Sequence, residues 1–486
     1  MATEATSTES PPLHVVLFPF LARGHVPAFL RLATLLRALR PGLDVTLVST
    51  PHILSSLTLP PSSLPVRLHA LPFSPADHGL PAGAHSLADL QVHQFIAFFR
   101  ASESLRPAFD HFVSTLRGPT CIIADAFFAW TADVARGHGA VASHAVFLPG
   151  GAFGNAVFFS VWEHLPHHAL TDADADADEF PLLPDFPDVV LHRTQIPRFM
   201  LAATGADPWS AFFRRVAASC RATDAVLVNT VAELEPAGLH MLRRSFGAPT
   251  WPVGPVLAEP SESPDDDAAI IRWLDARAAR SVLYVCFGSQ SSVTAAQTAE
   301  LTLGLEASGV AFVWVVRPPL ERDAKEGFDP AWLPAGFEGR VEGAAGLGLL
   351  VRGGWAPQAR VLAHRSTGAF LTHCGWNSVL ESLSCGVPML GWPLGAEQFF
   401  NAKLVVEWGV CVEVARGNVE GSKVTREAVA EAVRMVMGET GKGGEMRRNA
   451  ASVSRAMAAA WEEPTRGSSA ESLEGFLRSV ETAAGR

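Results

Sequence analysis

The stretch "LTHCGWNSVLESLSC", Leu371 to Cys385, decides how this chain is read. An apolar run ends at His373, passes Cys374 and Gly375, and enters a helix-period segment carrying Trp376, Asn377, Ser378 and Glu381. Polar groups gathered at a strand-to-helix turn suit an anion, because the first N–H groups of a helix lack internal partners and carry the positive end of its dipole. The turn asks for a phosphate.

Outward from that turn, short apolar runs alternate with helix-compatible segments. In the second half these runs are "SVLYVCFG", "AFVWVV", "GLLVRG", "GAFLTHCG", "VPMLGWP" and "VCVEVA". The first half repeats the alternation with "LHVVLFPF", "DVTLVST", "TCIIADAFF", "AVASHAVFL" and "DAVLVNT". Strand, helix, strand implies parallel sheets. Between the halves, "WPVGPVLAEPSESPDDD" is rich in proline, serine and acid and has no period that buries a face, so it reads as a linker. At 486 residues and 48% hydrophobic the chain exceeds what one growing core sustains. The expectation is an α/β protein of two Rossmann-like parallel-sheet domains facing a cleft. The boundaries are 1–250, a linker at 251–270, 271–460, and a terminal segment at 461–486.

Charge and composition exclude several functions. With 38 basic against 49 acidic residues the net charge is −11, which argues against nucleic acid or an anionic membrane as a partner. Six cysteines with no CxxC pair read as free thiols in a reducing compartment, and "MATEATSTES" lacks the basic start of a signal peptide. A cytoplasmic, monomeric protein is expected. The uncharged run Ala145 to Trp162 is broken by Pro149, Gly150, Gly151 and Gly154, so it reads as a buried strand and helix and not a membrane span. The acidic tract "TDADADADEF", Thr171 to Phe180, reads as a solvated loop, because metal-holding Asp-x-Asp clips sit at strand ends in apolar surroundings.

Ligands of paired Rossmann-like sheets bind at the carboxyl ends of the strands. Three loops there carry chemistry. "FGSQSS" offers Gly288, Ser289 and Ser291, whose small side chains let backbone approach a phosphate. "HCGWNS" adds His373 and the helix start. "GWAPQ" offers Trp355 as a flat shelf for a base and Gln358 for hydroxyls or amides. A dinucleotide site would need GxGxxG after the first strand and an acid after the second; "FLARGHVPAF" and "LVSTPH" supply neither.

The span from Trp355 to Gln398, "WAPQARVLAHRSTGAFLTHCGWNSVLESLSCGVPMLGWPLGAEQ", resembles the signature box of plant family 1 UDP-glycosyltransferases. Weaker likeness extends through "GHVPAFLRLATLL", "ADAFFAWTADVA" and "YVCFGS". The resemblance implies the GT-B fold, with the terminal helix returning to the first domain. It implies UDP-glucose as co-substrate and no metal or other cofactor. By the same likeness, Trp355 would hold the uracil, Gln358 and Glu381 the ribose, and Ser289, His373, Asn377 and Ser378 the diphosphate, with Ala356 among the UDP-sugar-binding residues. Trp376, Glu397 and Gln398 would touch the sugar. Glutamine at 398 resembles glucose users, while Glu397 stands where the family often has aspartate.

An acceptor hydroxyl becomes nucleophilic only when something takes its proton. His25, in the loop after the first strand, is the candidate base, and Asp125, ending "CIIAD", can fix its tautomer and stabilise the imidazolium. The family uses this pair. Attack opposite UDP would turn an α-linked donor into a β-glucoside. Arg23, Phe127 and Gly395 are expected to border a small lipophilic acceptor such as a flavonoid, another phenolic or a terpenoid. Two other readings stay open: a transferase making glucose esters or C-glucosides, and a catalytically silent protein that binds the UDP-sugar.

Overall fold

The computed structural model describes residues 12–57, 66–169, 178–258, 266–322, 326–343, 346–352, 356–417, 422–462 and 465–485. Trp355 and residues 171–177 of the acidic tract lie outside them.

The apolar runs of the first half become strands β1 (His14–Phe18), β2 (Asp44–Ser49), β4 (Thr120–Asp125), β5 (Val141–Leu148) and β8 (Ala225–Val228). Two short strands, β3 (Arg67–Ala70) and β9 (Thr250–Pro252), complete a parallel sheet ordered β3-β2-β1-β4-β5-β8-β9. Both are edge strands, and neither has an apolar run to announce it. The "RLHA" of β3 is largely exposed, and β9 runs into the residues read as a linker. The remaining pair, β6 (Glu179–Leu182) and β7 (Phe186–His192), forms an antiparallel hairpin apart from the sheet.

The second sheet is also parallel. Its strands are β10 (Val282–Cys286), β11 (Ala311–Val316), β12 (Gly348–Arg352), β13 (Thr367–Thr372), β14 (Met389–Gly391) and β15 (Cys411–Glu413), in the order β12-β11-β10-β13-β14-β15. In each sheet the chain winds outward in one direction and then in the other. The reversal lies between β1 and β4 in the first sheet and between β10 and β13 in the second. Loops leaving adjacent strands at such a reversal part to opposite faces and leave a crevice between them. The register puts Phe18 beside Ala124 and Cys286 beside Thr372, so each crevice opens directly after these pairs.

The uncharged run from Ala145 resolves into the end of β5, a turn at Pro149–Gly151, and a buried helix, Ala152–His164. Among the described residues no helix is long and apolar enough to cross a membrane. The terminal helix Ser468–Ala484 sends Leu473, Phe476, Leu477 and Val480 into the same core as Val15, Leu17 and Phe29 of the first sheet. Each such side chain contributes about 1.5–3 kcal/mol by burial. At its rim Arg40 grips Glu474 with two bonds of 2.7 and 2.6 Å. All six cysteines are free thiols.

Candidate active site

The loop after β1 turns into the helix Val26–Leu39, and His25 stands at its N-cap with Pro27 in the first turn behind it. Across the crevice Asp125 ends β4 with its side chain 2% exposed. The His25 Nδ1–H donates to Asp125 Oδ2 over 2.6 Å, and Asp125 Oδ1 accepts from the Phe127 backbone N–H at 3.1 Å. The carboxylate is therefore oriented by its own strand-end turn and in turn orients the imidazole. Burial lowers the basicity of His25. The charge and hydrogen bond of Asp125, helped by the more distant Glu397, outweigh burial and raise its pKa above the ordinary 6.5. With Nδ1 committed, Nε2 is left to take a proton, and the imidazole side chain is 25% exposed.

An aromatic wall stands beside this pair. Phe127 lies 5.7 Å from the His25 ring and 5.1 Å from both Phe20 and Phe99, and the Phe99 ring stacks on Phe212. Phe127 is only partly buried, whereas Phe20, Phe99 and Phe212 are core. Arg23, two residues before His25, is exposed.

The second crevice is built on the opening stretch. Cys374 takes a left-handed φ of 62°, a costly conformation for a side-chain-bearing residue, and Gly375 then caps the helix Trp376–Ser384 without any side-chain bond. No side-chain cap bond is made at that helix start. His373 is held by steric contact alone: a Cβ on Gly288 would lie 2.7 Å from its ring, and one on Gly375 would lie 2.5 Å from Nε2. Both positions require glycine. The His373 Nδ1 is buried without a hydrogen-bond partner among the described residues. Burial first, and then the charge of Arg317, push its pKa down to about 4. At neutral pH it is an uncharged imidazole.

Gln358, Ser378 and Glu381 converge. The Gln358 amide donates to Ser378 Oγ at 3.0 Å and to Glu381 Oε2 at 2.6 Å. Burial raises the Glu381 pKa against the opposing pull of the Gln358 bond. A carboxylate and an amide so placed can bind vicinal hydroxyls. Ala356 is buried and lines a cavity with Tyr284, Cys286, Gly288, Val315, Arg317 and Gln358. Ser289 sits half-buried in the turn after β10, following Gly288 at φ 75°.

Two predicted ligand residues use their side chains to join the domains. The Trp376 indole N–H donates to the Asn229 carbonyl at 2.6 Å, its ring closes on Gly151, and it is 4% exposed. Only its backbone N–H, at the helix start, is left to face the cleft. Asn377 Nδ2 donates to the Gly24 carbonyl at 2.8 Å and so ties the His25 loop to the helix of the other domain. Gln398 Oε1 accepts from the Leu394 and Gly395 N–H groups, which leaves its amide nitrogen as a donor. Gly395 has open space where a side chain would begin, and Ala396 beside it is left-handed at φ 48°. Burial raises the Glu397 pKa, while His25 opposes the rise from across the cleft. The sequence reading missed Arg317, Tyr284 and the Asn229–Trp376 lock. The one available signal was the arginine that ends "AFVWVVR". Among the described residues no three His, Cys, Asp or Glu side chains are grouped to hold a metal ion.

The family model described as UDP-glucoronosyl and UDP-glucosyl transferase matches residues 253–455. UDP-glycosyltransferase 92A1 of Arabidopsis thaliana is 39% identical, over 96% of this chain and 96% of its own length. Crocetin glucosyltransferase 3 of Crocus sativus is 40% identical, over 85% of this chain and 89% of its own. Among solved structures, Glycyrrhiza uralensis UGT73P12 in complex with glycyrrhetinic acid 3-O-monoglucuronide superposes with a TM-score of 0.80 at 29% identity, covering 97% of this chain and 96% of that one. Phytolacca americana UGT2 with UDP-2fluoro-glucose and pterostilbene reaches 0.76 at 29% identity, over 97% and 100%.

Proposed function

This chain belongs to the plant family 1 UDP-glycosyltransferases, transferases of the GT-B fold that draw their sugar from a UDP-sugar, and from that premise we propose that it transfers glucose from UDP-glucose to a hydroxyl of a small lipophilic metabolite, with inversion. Flavonoids, other phenolics and terpenoids fit the partly exposed Phe127 and its aromatic backing. The relatives' names include a flavonoid 3-O-glucosyltransferase and a scopoletin glucosyltransferase, which supports a glucose donor and an aromatic acceptor.

The observation that carries the reading is the His25–Asp125 pair at 2.6 Å, tied through Gly24 and Asn377 to the start of the Trp376–Ser384 helix. The acceptor O–H gives its proton to His25 Nε2 as its oxygen forms a bond to the anomeric carbon. The bond from that carbon to the β-phosphate oxygen breaks, and its electron pair leaves with UDP. Asp125 stabilises the imidazolium formed in that step. On the donor side, Gln358 and Glu381 hold the ribose, while Ser289, His373, Asn377 and Ser378 with the open helix start hold the diphosphate. Ala356 and Trp355 would take the uracil, and Glu397, Gln398 and the Trp376 backbone the sugar. Arg23 and Gly395 would border the acceptor with Phe127. Residues 1–250 would carry the acceptor side and 271–460 the donor side, joined by 251–270, with 461–486 on the first domain. Free thiols and acidic charge support a monomer working in the cytoplasm.

The test is a panel of phenolic, flavonoid and terpenoid hydroxyls offered with UDP-glucose, UDP-galactose and UDP-glucuronate. Expected is a product heavier by one hexose, formed fastest from UDP-glucose and stable to alkali. Alkali-labile or acid-resistant carbon-linked products would replace the O-glucoside reading, and no product at all would end it.

A further inference from the structure

The cleft edge of the second sheet carries a group that the mechanism above leaves unused. Arg317 directly follows β11 and lines the cavity formed by Tyr284, Cys286, Gly288, Ala356 and Gln358. It is the formal cation among the described residues lining that cavity. Its Nε is shielded from solvent and has no hydrogen-bond partner among the described residues. The titratable groups near enough to act on it are the Cys286 thiol and the Arg23 guanidinium, which reaches it from the loop of the other domain. It in turn acts on His373. Among the described residues no carboxylate is one of these neighbours.

A guanidinium partly stripped of water and left without a carboxylate is costly in the empty site, and that cost is recovered when an anion arrives. The neighbouring His373 does not carry the needed charge, because a buried imidazole with its pKa pushed down to about 4 is neutral where the protein works. The open start of the Trp376–Ser384 helix supplies only partial charge. A diphosphate that gains a further negative charge as the glycosidic bond breaks therefore meets one full positive charge in this pocket, at Arg317.

Resting on the reading that the pocket takes the UDP-sugar, we propose that Arg317 pairs with the donor diphosphate and stabilises UDP as it leaves. The planar guanidinium can meet two phosphate oxygens at once, which Lys cannot. Gln358 and Glu381, bonded to each other at 2.6 Å, stay with the ribose.

The test compares binding of UDP and of uridine to the full-length protein, wild type, Arg317→Met and Arg317→Lys, at low and high salt. The Met variant keeps the bulk and removes the charge. It should lose about 10- to 100-fold for UDP, keep uridine affinity within about twofold, and show a flatter salt dependence. The Lys variant should lose about tenfold or less for UDP and keep the salt dependence, which also covers the case in which the Met variant fails to fold. Equal loss for UDP and uridine in either variant would overturn the proposal by making Arg317 a nucleoside contact. Unchanged UDP affinity in the Met variant, or a flat salt dependence in the Lys variant, would overturn it by removing the charge contact. Wild-type protein that binds neither UDP nor uridine would overturn the donor-site reading itself, a result distinct from a wild-type protein that binds UDP and a variant that binds it equally well.

Discussion

His25 and His373 both stand in loops at a winding reversal, His25 after β1 on one side of the first and His373 after β13 on the opposite side of the second, yet the molecule gives them opposite chemistry. His25 meets a buried carboxylate at 2.6 Å and becomes a stronger base. His373 packs on glycine, has no hydrogen-bond partner for Nδ1 among the described residues, feels the charge of a guanidinium, and becomes a neutral ring. One is arranged to receive a proton and the other to donate a hydrogen bond without titrating. Residue type is the same; the charged neighbour makes the difference. For His25 that neighbour is Asp125 at the end of β4, and for His373 it is Arg317, directly after β11.

The strongest way to break the comparison is His25→Ala. Removing the base should cost about 10²–10⁴ in kcat while UDP affinity stays put. Steady-state rates beside a UDP titration check it, and a parallel loss of UDP binding would mean that the two histidines do not have separate duties. Asp125→Asn should cost somewhat less, about 10²–10³, and it reads the electrostatics directly. In the wild type the acidic limb of kcat/KM falls away as pH drops through a value above 6.5, because His25 must be unprotonated to act and its pKa is raised. Without the carboxylate, burial dominates, the His25 pKa drops, and the limb moves to more acid pH. A pH profile that does not move would separate Asp125 from the titrating group. His373→Gln should raise the UDP-glucose KM by about 10- to 100-fold without shifting that limb, since His373 at about 4 does not titrate in the working range. A moved limb would show the second imidazole titrating after all. The smallest expected effect is none: an excess of EDTA should leave turnover unchanged. A strict Mg²⁺ or Mn²⁺ requirement would bring the aspartates of 171–177 back as a metal clip, supplying the charge that the second crevice is argued to take from Arg317.

The comparison also marks where sequence reading reached and where it stopped. Contiguous features were legible. His373, Gly375 and the helix start sit within a few residues, so local chain geometry alone makes them an anion-type turn, while Gly288, which packs on the same ring, comes from 85 residues earlier. The major strands were legible for the same reason, since a buried parallel strand is an unbroken apolar run. The edge strands β3 and β9 were not, because a strand covered on one side needs no such run. The Trp376 indole bonds Asn229, 147 residues away, and the Asn377 side chain bonds Gly24, 353 residues away. Nothing within either segment points to its partner.

The order of residues settled the fold class and the two parallel sheets, since each follows from local period, and it offered the donor-type turn by its chemistry and His25 with Asp125 by family resemblance as candidates. Folding decided which side chains lose water together. That is why one imidazole gained basicity, the other lost it, and an arginine directly after a strand, unremarked in the linear chain, came to stand without a carboxylate partner among the described residues: desolvation and charge pairing depend on distance in space, and space is set by the packing of segments far apart in the chain.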